Sequence, residues 1–233
     1  MKTIGLIGGM SWESTAEYYR IINQIVKKRL GKLHSGKIVM VSLDFEEIKQ
    51  LQHHGNWKIA TSIMIDAAKR VEKAGADFIL ICTNTMHKMA EQVESNINIP
   101  LLHIVDVTAN AIKKKSLKKV GLLGTNFTME QDFYKGRLMK KHGINAIVPE
   151  QTSRELINNI IYNELCLGEI KESSRKILKA IIEKLIKNGA EGIILGCTEL
   201  PLILKKEDSR IPLFDTCKLH VQRAVEIAIQ ADL

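Results

Sequence analysis

Two stretches of the chain end a short apolar run in a side chain that can do chemistry. Asn188-Gly189-Ala190-Glu191-Gly192-Ile193-Ile194-Leu195-Gly196-Cys197-Thr198-Glu199-Leu200 reads as a helix end, a buried strand and a cysteine at the strand's carboxyl tip. Ala74-Gly75-Ala76-Asp77-Phe78-Ile79-Leu80-Ile81-Cys82-Thr83-Asn84-Thr85 repeats that plan. Aligning Gly75 with Gly189 sets an offset of 114, which brings Thr83, not its neighbour Cys82, onto Cys197. A thiol has a reference pKa of about 8.5 and becomes a usable base or nucleophile where positive or dipolar surroundings lower it. The alternative is a small buried hydrophobe, the commoner fate of a lone cysteine. Asn84, Thr85 and Thr198 follow the two tips and open helices. Hydroxyls and backbone N–H groups there suit a carboxylate, or they simply cap the helix.

Successive side chains of a strand point to opposite faces, so Cys82 points away from the position of Thr83 and reads as structural. Cys166, beside Leu165 and Leu167, and Cys217, at the start of the last helix, read as packing residues. The four cysteines show no C-x-x-C spacing, which argues against zinc ribbons and thioredoxin-like motifs. No His/Asp/Glu cluster has metal-ligand spacing, and Gly5-x-x-Gly8-Gly9 fits neither the dinucleotide fingerprint nor the P-loop.

The positioning elements follow from periodicity. Residues 3–8 form a buried strand, then a Gly8-Gly9-Met10-Ser11 loop and a helix from Trp12 to Gly31. Ile38–Leu43 is a strand, Gln52-His53-His54-Gly55 a loop, and Trp57–Lys73 a helix. The strand Phe78–Cys82, a helix from Thr85, a short strand Pro100–His103 and a helix from Asp106 complete the first half. The pattern restarts at Lys119, where Lys119–Gly124 echoes the opening strand at an offset of 116. A helix Met129–Lys141, a strand Ala146–Val148 and helices Arg154–Leu165 and Ser173–Lys187 lead to the strand Gly192–Gly196. Ile211-Pro212-Leu213-Phe214 echoes Ile99-Pro100-Leu101-Leu102 at an offset of 112, before a last helix from Thr216 to Ala231. Three echoes in one order imply duplication. The expected fold is α/β: two pseudo-symmetric α/β/α half-domains with parallel sheets and a site in the cleft between them. The expected boundaries are 1–107 plus 213–233 for the first domain and 108–212 for the second.

Composition constrains the partners. A net charge of +8 raises nucleic acid, but the basic residues cluster at helix ends and few aromatics interleave them, so no nucleic-acid role is expected. No apolar run approaches the ~20 residues of a membrane span. The N-terminal apolar run is too short for a signal peptide, which points to a cytoplasmic protein with reduced thiols.

Together, Thr83-Asn84-Thr85-Met86-His87, Gly196-Cys197-Thr198-Glu199 and Gly8-Gly9-Met10 resemble the aspartate/glutamate racemase superfamily that works without pyridoxal phosphate. The resemblance covers nearly the whole chain. Gly9–Thr15 and Cys82–His87 look like a subgroup acting on aspartate and glutamate, with threonine in the first catalytic position. The resemblance implies a cofactor-free, metal-free isomerase that inverts an amino acid at Cα, with Thr83 and Cys197 as the flanking acid/base groups. It implies substrate binding by Met10, Ser11, Gln52, Asn84, Thr85, Thr125, Thr198 and Glu199, and a homodimer. Glu199 either orients Cys197 or is a first-turn helix acid. His53, His54 and Tyr162 join Gln52 as candidates for the distal carboxylate. Hydantoin racemases, maleate isomerases and arylmalonate decarboxylases share the scaffold, and an amino-acid-binding protein without catalysis is the alternative from another class.

Overall fold

The structure, a computed structural model, describes residues 1–230. The described chain divides into two compact units, 1–104 with 220–230 and 105–219. Each is a parallel sheet flanked by helices, the α/β class expected.

In the first unit, β1 (Ile4–Gly8) is the central strand, hydrogen-bonded to β2 (Ile38–Ser42) on one side and β3 (Phe78–Ile81) on the other. It is buried along its whole length, as a sheet covered on both faces requires. Helix α1 (Trp12–Leu30) opens on Ser11, whose hydroxyl accepts from the Ser14 N–H, and ends on Gly31 at φ 74°. Its buried stripe of Tyr18, Ile22 and Val26 has helical spacing. Helix α2 (Phe45–His53) corrects the expected loop at Gln52-His53. It has an Asp44 cap and an acidic first turn, but only Ile48 and Gln52 are buried, too short a stripe to stand out by periodicity. Helix α3 (Trp57–Lys73) matches the expected bounds. After β3 come a 3₁₀ turn (Thr85–Met89) and the short α4 (Ala90–Glu94). The expected strand at Pro100 reduces to one parallel bridge, Ile79 to Leu101. The chain turns into α5 (Ile104–Lys113) directly after it.

The second unit repeats the plan with four strands. β4 (Lys119–Gly124) is flanked by β5 (Asn145–Ile147) and β6 (Ile193–Gly196), and β7 (Leu213–Asp215) adds beyond β6. The single helix expected over Met129–Lys141 is two, α6 (Asn126–Glu130) and α7 (Asp132–His142), broken at Gln131 in an extended conformation. Then follow α8 (Gln151–Asn163), a 3₁₀ turn at Leu165–Leu167 that carries Cys166, and α9 (Glu172–Lys187). α10 (Leu200–Ile203) follows β6. The last helix, α11, runs Thr216–Ile229, and the expected end at Ala231 lies outside the described residues. The expected return to the first domain at 213 is corrected: β7 pairs with β6 from Ile193–Leu213 to Leu195–Asp215. The unit boundary falls inside α11, at 219/220.

The ladders carry the three repeat offsets. Gly5 pairs with Ile79 and Gly121 with Ile193, so the offsets 116 and 114 hold residue by residue. Ile79 bridges Leu101 while Ile193 pairs with Leu213, which carries the offset 112. Gly5 and Gly121 also share a role. A Cβ on Gly5 would meet Val71 of α3 and Ala76, and one on Gly121 would meet Leu185 of α9 at 2.9 Å. Each central strand thus lets one helix approach by lacking a side chain. Ile7, Ile79 and Ile81 join Ala67, Ala68 and Val71 in the first core, and Leu123, Ile193 and Leu195 join Ile182 and Leu185 in the second.

Overpacking a fixed contact costs about 1–3 kcal/mol. Gly5→Ala and Gly121→Ala are each expected to lower unfolding free energy by that amount in urea titrations. Wild-type stability in either variant would contradict the close approach.

Candidate active site

Strand alternation decides which side chains the two tips offer. Carried past the ends of β3 and β6, the alternation puts Thr83 on the face of Ile79 and Ile81 and Cys197 on that of Ile193 and Leu195, while Cys82 falls on the face of Phe78 and Leu80. Exposure agrees: Cys82 is 1% exposed, Cys197 8%, and Thr83 is half-buried. Burial pushes the Cys82 thiol well above its usual range. Its N–H bonds to the Ile7 carbonyl at 2.9 Å, and its carbonyl accepts from the Ser14 hydroxyl at 2.9 Å.

In the second unit the Cys197 thiol donates to Glu199 Oε2 at 2.8 Å, and the Thr198 hydroxyl donates to the same oxygen at 2.9 Å. All three residues are buried. Burial first, then the Glu199 carboxylate, raises the thiol well above its usual pKa. The resting state is a protonated thiol aimed at a carboxylate, not the lowered-pKa thiolate that a base reading brings to mind. Tyr162 of α8, half-buried, is raised by burial and then by neighbouring Cys197, Cys166 and Glu199, so it belongs to this group. Thr125 caps α6, its hydroxyl accepting from Thr128 N–H at 3.4 Å and lying 3.2 Å from the Thr128 hydroxyl.

In the first unit Asn84 and Thr85 are buried directly after Thr83. Gln52 is 3% exposed; its amide nitrogen donates to Met86 Sδ at 3.0 Å and its Oε1 has no partner. That oxygen is an acceptor awaiting a donor, since a buried polar atom left unpaired costs about 1–3 kcal/mol. Ser11 is committed to capping α1, with its hydroxyl on Ser14 N–H and its carbonyl on the Thr15 hydroxyl. Met10 sits in the apolar cluster with Ile7, Ile48 and Met86, so its side chain is a packing group. His53 and His54 are exposed, and His54 Nδ1 lies 2.8 Å from its own helix carbonyl at Gln50.

The sequence-predicted residues therefore form two sets. Met10, Ser11, Gln52, Thr83, Asn84 and Thr85 belong to the first unit, and Thr125, Cys197, Thr198 and Glu199 to the second. Sequence reasoning missed further buried acceptors without partners, Glu13 Oε2, Asn126 Oδ1 and Gln131 Oε1. Glu13 and Asn126 each follow the carboxyl end of a central strand, the one available signal. Among the described residues, no group of three or more His, Cys, Asp or Glu side chains could hold a metal ion, and no helix is long and apolar enough to cross a membrane.

Residues 7–224 match the family model described as Asp/Glu/Hydantoin racemase. The chain belongs to that family. Its members are racemases, a class of isomerase. A Yersinia pestis protein assigned as an Asp/Glu racemase is 53% identical, with 99% of this chain and 100% of that one covered at a TM-score of 0.92. An aspartate racemase homologue from Pyrococcus horikoshii is 37% identical, covering 98% and 99% at a TM-score of 0.85. The broad-specificity amino-acid racemase of Bacillus subtilis is 26% identical over 91% of this chain and 92% of its own.

One buried cluster of this racemase-family chain stands behind the first strand tip. The Tyr18 hydroxyl lies 2.8 Å from His220 Nδ1, and His220 Nε2 lies 2.7 Å from the Leu102 carbonyl. A carbonyl only accepts, so Nε2 carries the proton and Nδ1 accepts from Tyr18. Burial, then neighbouring His87, lowers the His220 pKa to about 3. The unfolded chain takes up this proton near pH 6.5 and the folded one only near 3, so the contribution is full above 6.5 and fades as pH falls. About 2 kcal/mol should be lost from this group by pH 5. Urea unfolding of wild type and His220→Gln at pH 7 and pH 5 checks this, because the variant's stability should fall less between the two.

Proposed function

We propose that the chain is a cofactor-independent racemase of aspartate, glutamate or both, working by proton transfer on the two faces of Cα with Cys197 and Thr83 as the two groups. The observation that carries this is the thiol at one repeat position and the hydroxyl at its equivalent, each at a strand tip in the same register. Inversion needs one group to remove the Cα proton and another to deliver one to the opposite face. We assign removal from an L-amino acid to Cys197 and delivery to Thr83.

The resting pair of Cys197 and Glu199 supports a substrate-triggered base. The thiol proton already points at Glu199 Oε2, and burial, then the Glu199 carboxylate, holds it on sulfur. An amino-acid ammonium brings positive charge, which favours the thiolate form. Glu199 is then the acceptor along which the thiol is aimed. Asn84, Thr85 and Thr198 hold the α-carboxylate, where their donors also stabilise charge that builds at the carbanion-like transition state. The free Gln52 Oε1 accepts from a substrate N–H, which makes Gln52 an ammonium ligand. A broader substrate range is the competing reading, favoured by the name of the Bacillus subtilis relative.

A chiral assay of purified protein against a panel of L- and D-amino acids, without added cofactor and after EDTA treatment, separates these readings. Turnover confined to the acidic pair is expected. Cys197→Ala should abolish inversion, a loss of at least ~1,000-fold, while Cys82→Ala should keep most of it. Equal damage from both, with the fold intact, would show the register is not what selects the catalytic residue.

A second test reads the asymmetry of the pair. Enantiomers have equal free energy, so kcat/KM must be equal in both directions whatever Thr83 does. The thiolate can remove the L-side proton, exchange it with solvent and return it to the same face, whereas a hydroxyl is a far weaker proton-transfer group. In D₂O, L-substrate should gain α-deuterium faster than D-enantiomer appears, and Thr83→Cys should narrow the gap. Matched rates in the wild type would refute Thr83 as the slower partner.

A further inference from the structure

His87 stands in the first unit four residues after Thr83 and is 3% exposed. Its Nε2 receives the backbone N–H of Ile104, the first residue of α5, at 3.2 Å. A nitrogen that accepts carries no proton, so the ring proton of this imidazole is on Nδ1. Nδ1 lies 2.8 Å from the carbonyl oxygen of Thr83, which can only accept. The ring thus ties the Thr83 backbone to the start of α5 with one donor and one acceptor. His103 stacks on it with ring centroids 4.7 Å apart, and His220 lies 5.8 Å away edge-on.

The second unit is tied differently at the corresponding positions. At the offset of 114 the residue matching His87 is Pro201, and at 112 the residue matching Ile104 is Thr216. There the Thr216 hydroxyl, at the start of α11, donates to the carbonyl of Leu195, the counterpart of Ile81 and two residues before Cys197, at 2.8 Å. Cys197 itself is aimed by a side-chain bond to Glu199. Thr85 stands at the position of Glu199, so Thr83 has no matching carboxylate and its backbone is held instead.

We propose that His87 is the positioning residue of Thr83, fixing the hydroxyl's direction by clamping the Thr83 carbonyl through Nδ1–H. Holding that carbonyl fixes the peptide plane after Thr83, and a β-branched side chain then has few χ1 options left. A hydroxyl placed about 1 Å wrong can lose up to ~100-fold in rate. The clamp acts on the delivery step alone and rests on the assignment of Thr83 above.

Two isosteric variants separate the two arms of the ring. His87→Asn keeps a donor at the place of Nδ1 and loses the acceptor for Ile104. His87→Gln keeps an acceptor near the place of Nε2 and loses the donor to Thr83. Inversion and L-side α-deuterium exchange are measured for both in D₂O, alongside Thr83→Ala and the double variant Thr83→Ala/His87→Gln. H87Q should lower inversion ~10-fold with exchange within about twofold of wild type. H87N should restore inversion to within about threefold. In the Thr83→Ala background, H87Q should change nothing further. Equal losses of inversion and exchange in H87Q, or a folded H87N as impaired as H87Q, overturn the clamp. Unchanged inversion in Thr83→Ala overturns the assignment of Thr83 itself, whatever His87 does.

Discussion

The parallel ladder between the first and third strands of each unit is the constraint on which the rest depends. Register in a parallel pair determines which side chain reaches the strand tip and which face it takes. A slip of one residue between β1 and β3 would exchange Thr83 for Cys82, turning a hydroxyl position into a second thiol position. Gly5 and Gly121 hold the register against slipping, because only a residue without Cβ fits beneath α3 and α9 at that rung. Side chains of the adjoining residues would collide with Val71 or Leu185, so the close helix approach and the ladder specify each other.

Duplication has kept the geometry and let the chemistry diverge. One tip carries a thiol bonded to a buried carboxylate, and the other a hydroxyl followed by Asn84 and Thr85. The two are held by different means. Cys197 is oriented through its own proton, which leaves the thiol protonated at rest because burial and Glu199 both oppose its ionisation. Thr83 is oriented through its carbonyl by a neutral imidazole whose two nitrogens have opposite hydrogen-bonding duties. A neutral histidine suits this place. It offers one donor and one acceptor without the desolvation cost of a buried charge.

The buried His220 has a cost in acid. His220 is held between Tyr18 and the Leu102 carbonyl, and burial, then neighbouring His87, opposes its protonation there. Elsewhere charge is handled by pairing, as where Asp106 accepts both arms of Arg137 at 2.8 and 2.7 Å and also meets Lys141 and His142. Burial would raise the Asp106 carboxyl, but these partners outweigh it and hold it well below the usual range. Part of the basic excess that first suggested nucleic acid thus lies on α7, paired with the half-buried Asp106.

The sequence by itself determined the α/β class, the repeat with its three offsets, and the equivalence of Thr83 and Cys197 within that repeat. Each rests on local pattern: apolar runs of strand length, glycine stops and equal spacing need no partner to be read. The tertiary structure decided the rest. The strand expected at Pro100 became a single bridge, since α5 starts before more pairing can form. Helix α2 was hidden because its buried stripe is two residues long. The Met10 side chain lies in the apolar cluster of the first unit, and β7 joined the second sheet rather than the first unit. Nor could spacing show that Glu199 accepts a hydrogen bond from the Cys197 thiol or that His87 grips the Thr83 carbonyl. Both are hydrogen bonds, and their direction and length exist only once the chain has turned back on itself.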